Sequence, residues 1–171
     1  YQLVPAVQFA GNDLDVFARY CQKTLGVPMP NIWKYKDATF GMMLSAISDL
    51  KDIAEAYNGD INVIFYYAGH GIPGEQDKAA YLLPVDADGK QTEVCLPVAR
   101  LYKELAALNA KSVVVMLDAC FSGSQRGQGM LESARGVAIK VKDEPLRGNM
   151  VVLTAASGTE TAYPYAEKGH G

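Results

Sequence analysis

A histidine and a cysteine each follow a short apolar run that ends in small residues. Residues 61–71 carry His70, and residues 112–123 carry Cys120. Short apolar runs of this kind indicate buried strands, and ligands bind at the carboxyl ends of strands in an open α/β sheet. The two side chains are 50 positions apart, which leaves room for a hairpin and one crossover helix between parallel strands. We therefore expect both side chains on one rim.

A thiol beside an imidazole can act as a thiolate nucleophile in acyl transfer. Cys120 would attack a carbonyl, and His70 would protonate the leaving amine and then activate water. The alternative is a buried free cysteine and a histidine that happens to end a strand. The catalytic interpretation is favoured because small residues follow both side chains and leave open space, namely Gly71, Ser122 and Gly123.

The two segments resemble those of the caspase-like superfamily, which comprises caspases, metacaspases and paracaspases. In that superfamily a strand-ending His-Gly precedes a D/Q-x-C segment by about 50 residues, as here with His70-Gly71 and Asp118-Ala119-Cys120. Residues 11–13, 81–86 and 154–163 also resemble bacterial members, so the likeness covers nearly the whole chain.

The resemblance implies a fold, a domain organisation and an activity. The fold would be an α/β three-layer sandwich with a mostly parallel central sheet and helices on both faces. Residues 1–171 would form a single catalytic domain that lacks its first strand and its C-terminal helix region. The activity would be that of a cysteine endopeptidase using a Cys120/His70 dyad, with the backbone N–H groups of Gly71 and Cys120 stabilising the oxyanion. Gly71 is equally well explained as a simple turn glycine.

Substrate preference would depend on two acidic residues. Positions two apart on a strand share a face, so Asp118 lies on the same side of the sheet as Cys120. Metacaspases and paracaspases have an acidic residue here for Arg or Lys at P1, and Asp13 matches their second acidic S1 residue. The alternatives are a strand-end carboxylate at Asp118 and a carboxylate favoured by the helix dipole at Asp13.

The pattern of elements fits this fold. Asn12 or Asp13 can cap a helix over about 14–25, and Thr39 can cap a second helix that ends at Asn58-Gly59. A third helix starts near Pro97. Strands are expected at 31–36, at 81–84, before His70, before Cys120, at 137–141 and at 148–155, with a loop over 71–78.

Composition bounds the function classes. The 171 residues carry a net charge of −3, with 49% hydrophobic and 20% charged residues, as expected for one globular domain. Acidic and basic residues are interspersed, so we expect no nucleic-acid partner. No apolar run is long enough to span a bilayer, so we expect no membrane partner. The sequence does not fix the compartment; we favour the cytoplasm, with export after removal of a signal peptide as the alternative.

Cysteine usage argues against a disulfide framework or a structural zinc site. The three cysteines are odd in number and lack C-x-x-C spacing. Cys21 and Cys95 are interpreted as small buried apolar residues. Some metacaspases require calcium, but Asp86 and Asp88 are better explained by a turn. We therefore assign no metal site and expect no organic cofactor.

The remaining expectations concern processing, partners and competing functions. Basic residues follow the nucleophile at 126, 135, 140, 142 and 147, where an enzyme with basic P1 preference could cut itself; an uncut loop is the alternative. The partner would be a peptide or protein substrate, and the chain would be a monomer or a homodimer. The competing functions are a catalytically silent caspase-like scaffold and a convergent α/β hydrolase or transferase. The sequence lacks the G-x-S-x-G elbow, a Rossmann glycine fingerprint and a P-loop, which argues against the last.

Overall fold

A computed structural model describes residues 1–119, 121, 145–155 and 165–170. The described helices are α1 (Ala10–Lys23), α2 (Phe40–Ala56) and α3 (Val98–Ala106). The described strands are β1 (Asn62–Ala68), β2 (Gly71–Pro73), β3 (Ala80–Leu82), β4 (Leu96–Pro97), β5 (Ser112–Asp118) and β6 (Met150–Thr154). They form a parallel sheet in the order β1-β5-β6 and a small antiparallel sheet in the order β2-β3-β4.

The parallel sheet has β5 between its two neighbours. Asn62 lies opposite Ser112, and the register continues without interruption to Ala68 opposite Asp118. Burial along β5 alternates, with Val113, Val115 and Leu117 buried and the residues between them half-buried. Because side chains alternate between the two faces of a strand, the buried set marks the face that carries the main core.

Helices cover both faces of this sheet. On the buried face, Ile47 of α2 and Leu101 and Leu105 of α3 join the β5 valines in one hydrophobic cluster. On the other face, the ring of Phe17 in α1 lies 4.5 Å from the ring of Tyr66 in β1. The predicted α/β architecture, with a parallel sheet between helices, is therefore confirmed.

Most predicted elements are present close to their expected positions. Thr39 caps α2, with its hydroxyl accepting from the Met42 N–H at 3.2 Å. Asn58 and Gly59 follow α2 with left-handed backbone conformations, as a helix-ending pair should. The strands before His70 and before Cys120 are β1 and β5, and β6 lies within the predicted 148–155. The expected patch at 137–141 lies outside the described residues.

Three local predictions are wrong. Helix α1 begins at Ala10, after Phe9 with φ 67°, and neither Asn12 nor Asp13 caps it, because both side chains bond to residues 169–170 instead. Residues 31–36 form no strand, because Asn31 ends a 3-10 turn (Met29–Asn31) and residues 32–36 pair with none of the described strands. Gly71–Pro73, expected within a loop, pairs with β3 as β2.

Leu101 offers a test of the core. It is fully buried in α3, so Leu101→Ala should lower the free energy of unfolding by about 2–5 kcal/mol in denaturant titrations. Leu25→Ala deletes the same atoms from a side chain that is 48% exposed and should cost about 0.5 kcal/mol or less. Equal losses in both variants would contradict the assignment of the core.

Candidate active site at the carboxyl ends of strands β1 and β5

Strands β1 and β5 end side by side. Ala68 is the register partner of Asp118, and the Gly69 N–H donates to the Asp118 carbonyl at 3.1 Å. His70 follows on the first strand, and Ala119, which is fully buried, follows on the second. Cys120 itself lies outside the described residues. The two chain segments that lead to the predicted dyad are thus adjacent at one rim of the sheet.

The imidazole of His70 is fixed by a backbone carbonyl. Its Nε2 lies 2.7 Å from the carbonyl oxygen of Pro5. A carbonyl oxygen only accepts hydrogen bonds, so Nε2 must carry the proton of that bond. In the neutral ring this tautomer has its acceptor lone pair on Nδ1, which is the form that can take a proton from a thiol.

The peptide that joins His70 to Gly71 has a defined orientation. The His70 carbonyl accepts from the Leu83 N–H at 3.0 Å, so it points towards β3. In a planar trans peptide the N–H points opposite to the carbonyl. The Gly71 N–H therefore points away from β3, as the register also requires, because Gly71 and Leu82 form a pair without mutual hydrogen bonds.

The two acidic residues lie on the same face of the sheet. Asp118 is half-buried and shares its face of β5 with Met116, the register partner of Tyr66. Helix α1 packs on that face through Phe17, and Asp13 lies one helical turn before Phe17 on the same side of the helix. Helix α1 begins at Ala10, five positions after Pro5.

Asp13 is buried and bonded to a second histidine. Its side chain is 10% exposed, and Oδ1 lies 2.7 Å from Nδ1 of His170. The neighbouring Asn12 amide donates to the Gly169 carbonyl at 2.7 Å. Residues 165–170 are thereby attached to the first turn of α1, where the negative charge of Asp13 also interacts favourably with the helix dipole.

Sequence reasoning missed Pro5, Tyr1 and His170. Pro5 acts through its backbone carbonyl, which every residue type possesses, so its residue type did not indicate a contact with His70. Tyr1 contacts His70 across 69 positions, and no local pattern encodes that contact. The contact of His170 with a carboxylate could have been suspected, because only two histidines occur in the chain and an imidazole commonly pairs with a carboxylate.

The two described cysteines are unsuited to nucleophilic chemistry. Cys95 is 1% exposed, and burial together with the carboxylates of Asp88, Glu93 and Asp86 raises its pKa to about 11. Burial also raises the pKa of the Cys21 thiol. Both thiols are therefore protonated near neutral pH, in agreement with their predicted packing role.

The aspartates considered for calcium accept hydrogen bonds from backbone N–H groups. Asp86 accepts from the Phe40 N–H at 3.1 Å at the start of α2, and Asp88 accepts from the Lys90 N–H at 3.0 Å in a turn. Within residues 1–119, 121, 145–155 and 165–170, no group of three or more His, Cys, Asp or Glu side chains could hold a metal ion. Among the helices described, none combines the length and apolarity needed to cross a membrane.

Comparison with known proteins identifies the family. The family model for the caspase domain matches residues 6–170. This span includes both strand ends, both acidic residues and the two histidines. A search of curated proteins found no match to the chain.

Thiol reactivity should separate the three cysteines. Iodoacetamide at neutral pH should label Cys120 in the native protein and leave Cys21 and Cys95 unmodified, because burial protects both and keeps them protonated. Mass spectrometry of digests gives the modified positions. Cys120→Ala should abolish native labelling, and denaturant should expose the remaining thiols. Rapid labelling of Cys95 in the native protein would contradict its burial.

Proposed function

The chain belongs to the caspase domain family and is a cysteine peptidase in type, and on this basis we propose that it is an endopeptidase that cleaves after Arg or Lys through a Cys120/His70 dyad. The observation that carries the proposal is the common end of β1 and β5. The bond from Gly69 to Asp118 holds the two segments together one residue before His70 and two residues before Cys120. No organic cofactor is needed for this chemistry.

The dyad would act by covalent catalysis. The Cys120 thiol gives its proton to Nδ1 of His70, and the thiolate attacks the scissile carbonyl. Collapse of the tetrahedral intermediate breaks the C–N bond, and the imidazolium protonates the leaving amine. Water then loses a proton to His70 and hydrolyses the thioester. The Pro5 carbonyl supports these steps because it holds the ring by the opposite nitrogen throughout.

Backbone donors would stabilise the oxyanion. The Gly71 N–H points away from β3 and so is not used by the β2–β3 pair. We place it, together with the Cys120 N–H, around the developing charge. A glycine at position 71 also allows close approach of the substrate backbone.

Asp118 and Asp13 would form the S1 site. They lie on the same face of the sheet, which supports joint binding of a single cation. A guanidinium presents five N–H donors in a fixed plane and pairs well with two carboxylates. A carboxylate has about four acceptor positions, so the bond from His170 to Asp13 does not by itself exclude a substrate cation.

Peptide hydrolysis should show this P1 preference. Fluorogenic peptides with Arg or Lys at P1 should be turned over by the wild type and not by Cys120→Ala or His70→Ala. Asp118→Asn and Asp13→Asn should each lower kcat/KM for Arg substrates by about tenfold to a hundredfold, because each removes a charged hydrogen-bond acceptor. Asp15→Asn is the matched control, since Asp15 lies on the same helix but pairs with Lys34 at the surface.

Two outcomes would redirect the assignment. Turnover of Asp-P1 but not Arg-P1 peptides would overturn the S1 site and leave the dyad intact. Absence of both turnover and Cys120 labelling by a basic-P1 alkylating inhibitor would favour the silent scaffold.

We further propose that the enzyme cuts itself between the nucleophile and β6. Arg147 is exposed there, while Arg126, Arg135, Lys140 and Lys142 lie outside the described residues. Purified wild type should give two fragments on denaturing gels, and Cys120→Ala should give one band. Identical splitting in both proteins would assign the cleavage to another protease, and mass spectrometry of the new termini identifies the P1 residue.

A further inference from the structure

Two tyrosines hold the backbone of His70 from both sides. The Tyr1 hydroxyl accepts from the His70 N–H at 2.8 Å. The Tyr67 hydroxyl donates to the His70 carbonyl at 2.8 Å and lies 3.0 Å from the Leu83 carbonyl. The ring of Tyr1 also lies against the imidazole, with centroids 4.7 Å apart and planes at 53°. We call Tyr1 and Tyr67 the tyrosine bracket.

The two phenols form one network. Their oxygens lie 3.3 Å apart, and the Tyr1 hydroxyl is 3.3 Å from the Leu83 carbonyl. Two phenol protons thus serve the carbonyls of His70 and Leu83. One arrangement satisfies both carbonyls directly, with Tyr67 donating to His70 and Tyr1 donating to Leu83. Removal of either hydroxyl leaves a polar backbone group of the site segment with one partner fewer.

A glycine makes the close packing of the bracket possible. A Cβ at Gly69 would lie 2.5 Å from the Tyr1 hydroxyl and 2.6 Å from the Tyr67 hydroxyl. A Cβ carbon does not lie under about 3.0 Å from an oxygen, so any larger residue at position 69 would push the phenols away. Gly69 also donates its N–H to Asp118. Gly69 therefore has two roles: its N–H holds the end of β1 against β5, and its lack of a side chain leaves space for Tyr1 and Tyr67.

Both phenols stay protonated over the working range of a peptidase. Burial, reinforced by the neighbouring Tyr1, raises the pKa of Tyr67 well above its usual value. Burial also raises the pKa of Tyr1. Raised phenol pKa values keep the hydroxyl form, so the donors of the bracket persist at neutral and mildly alkaline pH.

We propose that Tyr67 and Tyr1 are positioning residues that orient the His70–Gly71 peptide for catalysis. This inference rests on the proposed peptidase function. By fixing the His70 carbonyl, Tyr67 and the Leu83 N–H fix the opposite end of the same rigid peptide, which is the Gly71 N–H. By fixing the His70 N–H and packing on the ring, Tyr1 sets the direction of the imidazole. One pair of phenols thus aligns the oxyanion donor and the proton-transfer group together.

Single hydroxyl deletions test the bracket. Tyr67→Phe should lower kcat for an Arg-P1 peptide by about tenfold to a hundredfold with KM changed by about twofold or less, because small displacements of oxyanion donors cost rate more than binding. Tyr1→Phe should lower kcat by about tenfold. Tyr81→Phe is the matched control on the adjacent strand β3, where the hydroxyl donates to Asp77 at 2.7 Å, and it should retain kcat within about twofold.

Inhibition by a peptide argininal distinguishes a positioning role of Tyr67 from a general loss of structure. Its hemithioacetal places an oxygen at the oxyanion position, so its inhibition constant should rise in Tyr67→Phe by about the factor lost in kcat. Alkylation of Cys120 by iodoacetamide involves no oxyanion and should change by about twofold or less. An unchanged kcat in folded Tyr67→Phe, or equal losses in alkylation and turnover, would overturn the proposal.

A spectroscopic measurement keeps the test independent of peptidase activity. The ring nitrogen resonances of His70 are assignable because the chain has two histidines, and His170→Gln identifies the other. Tyr1→Phe should shift the His70 ring signals, and Tyr67→Phe should shift the Gly71 amide, while Tyr81→Phe shifts neither. Unchanged spectra in both variants would overturn the proposed positioning role of Tyr1 and Tyr67. Shifted spectra together with a wild type that hydrolyses no peptide would support that role and contradict the proposed function.

Discussion

The parallel register between β1 and β5 is the constraint on which the site depends. Ala68 lies opposite Asp118, and Gly69 bonds to the Asp118 carbonyl. A slip of one residue would turn every side chain of β5 to the other face of the sheet. Val115 and Leu117 would then leave the core, and Asp118 would enter it. The hydrophobic core therefore selects the one register that brings the segments of His70 and Cys120 to the same rim.

The same alternation separates structural from functional residues. The face with Val113, Val115 and Leu117 packs against α2 and α3, whereas the face with Asp118 packs against α1. Asp13 lies on this second face because α1 packs there through Phe17, which lies one helical turn after Asp13. The half-buried face can hold a carboxylate at Asp13 because the imidazole of His170 bonds to it. A charge that is buried needs a partner, and His170 supplies one for Asp13.

The sequence predicted the elements that carry a strong local signal. The strands before His70 and Cys120, the Thr39 cap and the Asn58-Gly59 helix end all follow from neighbouring residues. Errors arose where long-range contacts decide the outcome. Asn12 and Asp13 are good capping residues, but their side chains bond 157 positions away, and α1 begins earlier. Gly71 is typical of a loop, yet pairing with Leu82 makes it part of a strand. The contact of the Pro5 carbonyl with His70 could not be predicted, because every residue type has a backbone carbonyl.

The hydrogen bonds that hold His70 also satisfy backbone groups that the end of a strand leaves without partners. β1 ends at Ala68, so the peptides of Gly69 and His70 lose the neighbours that a continued ladder would give. Asp118, Tyr1, Tyr67 and Leu83 supply those partners. An unmet buried polar group costs about 1–3 kcal/mol, so folding alone requires these bonds. The segment of Gly69 and His70 is consequently held by bonds that folding itself favours.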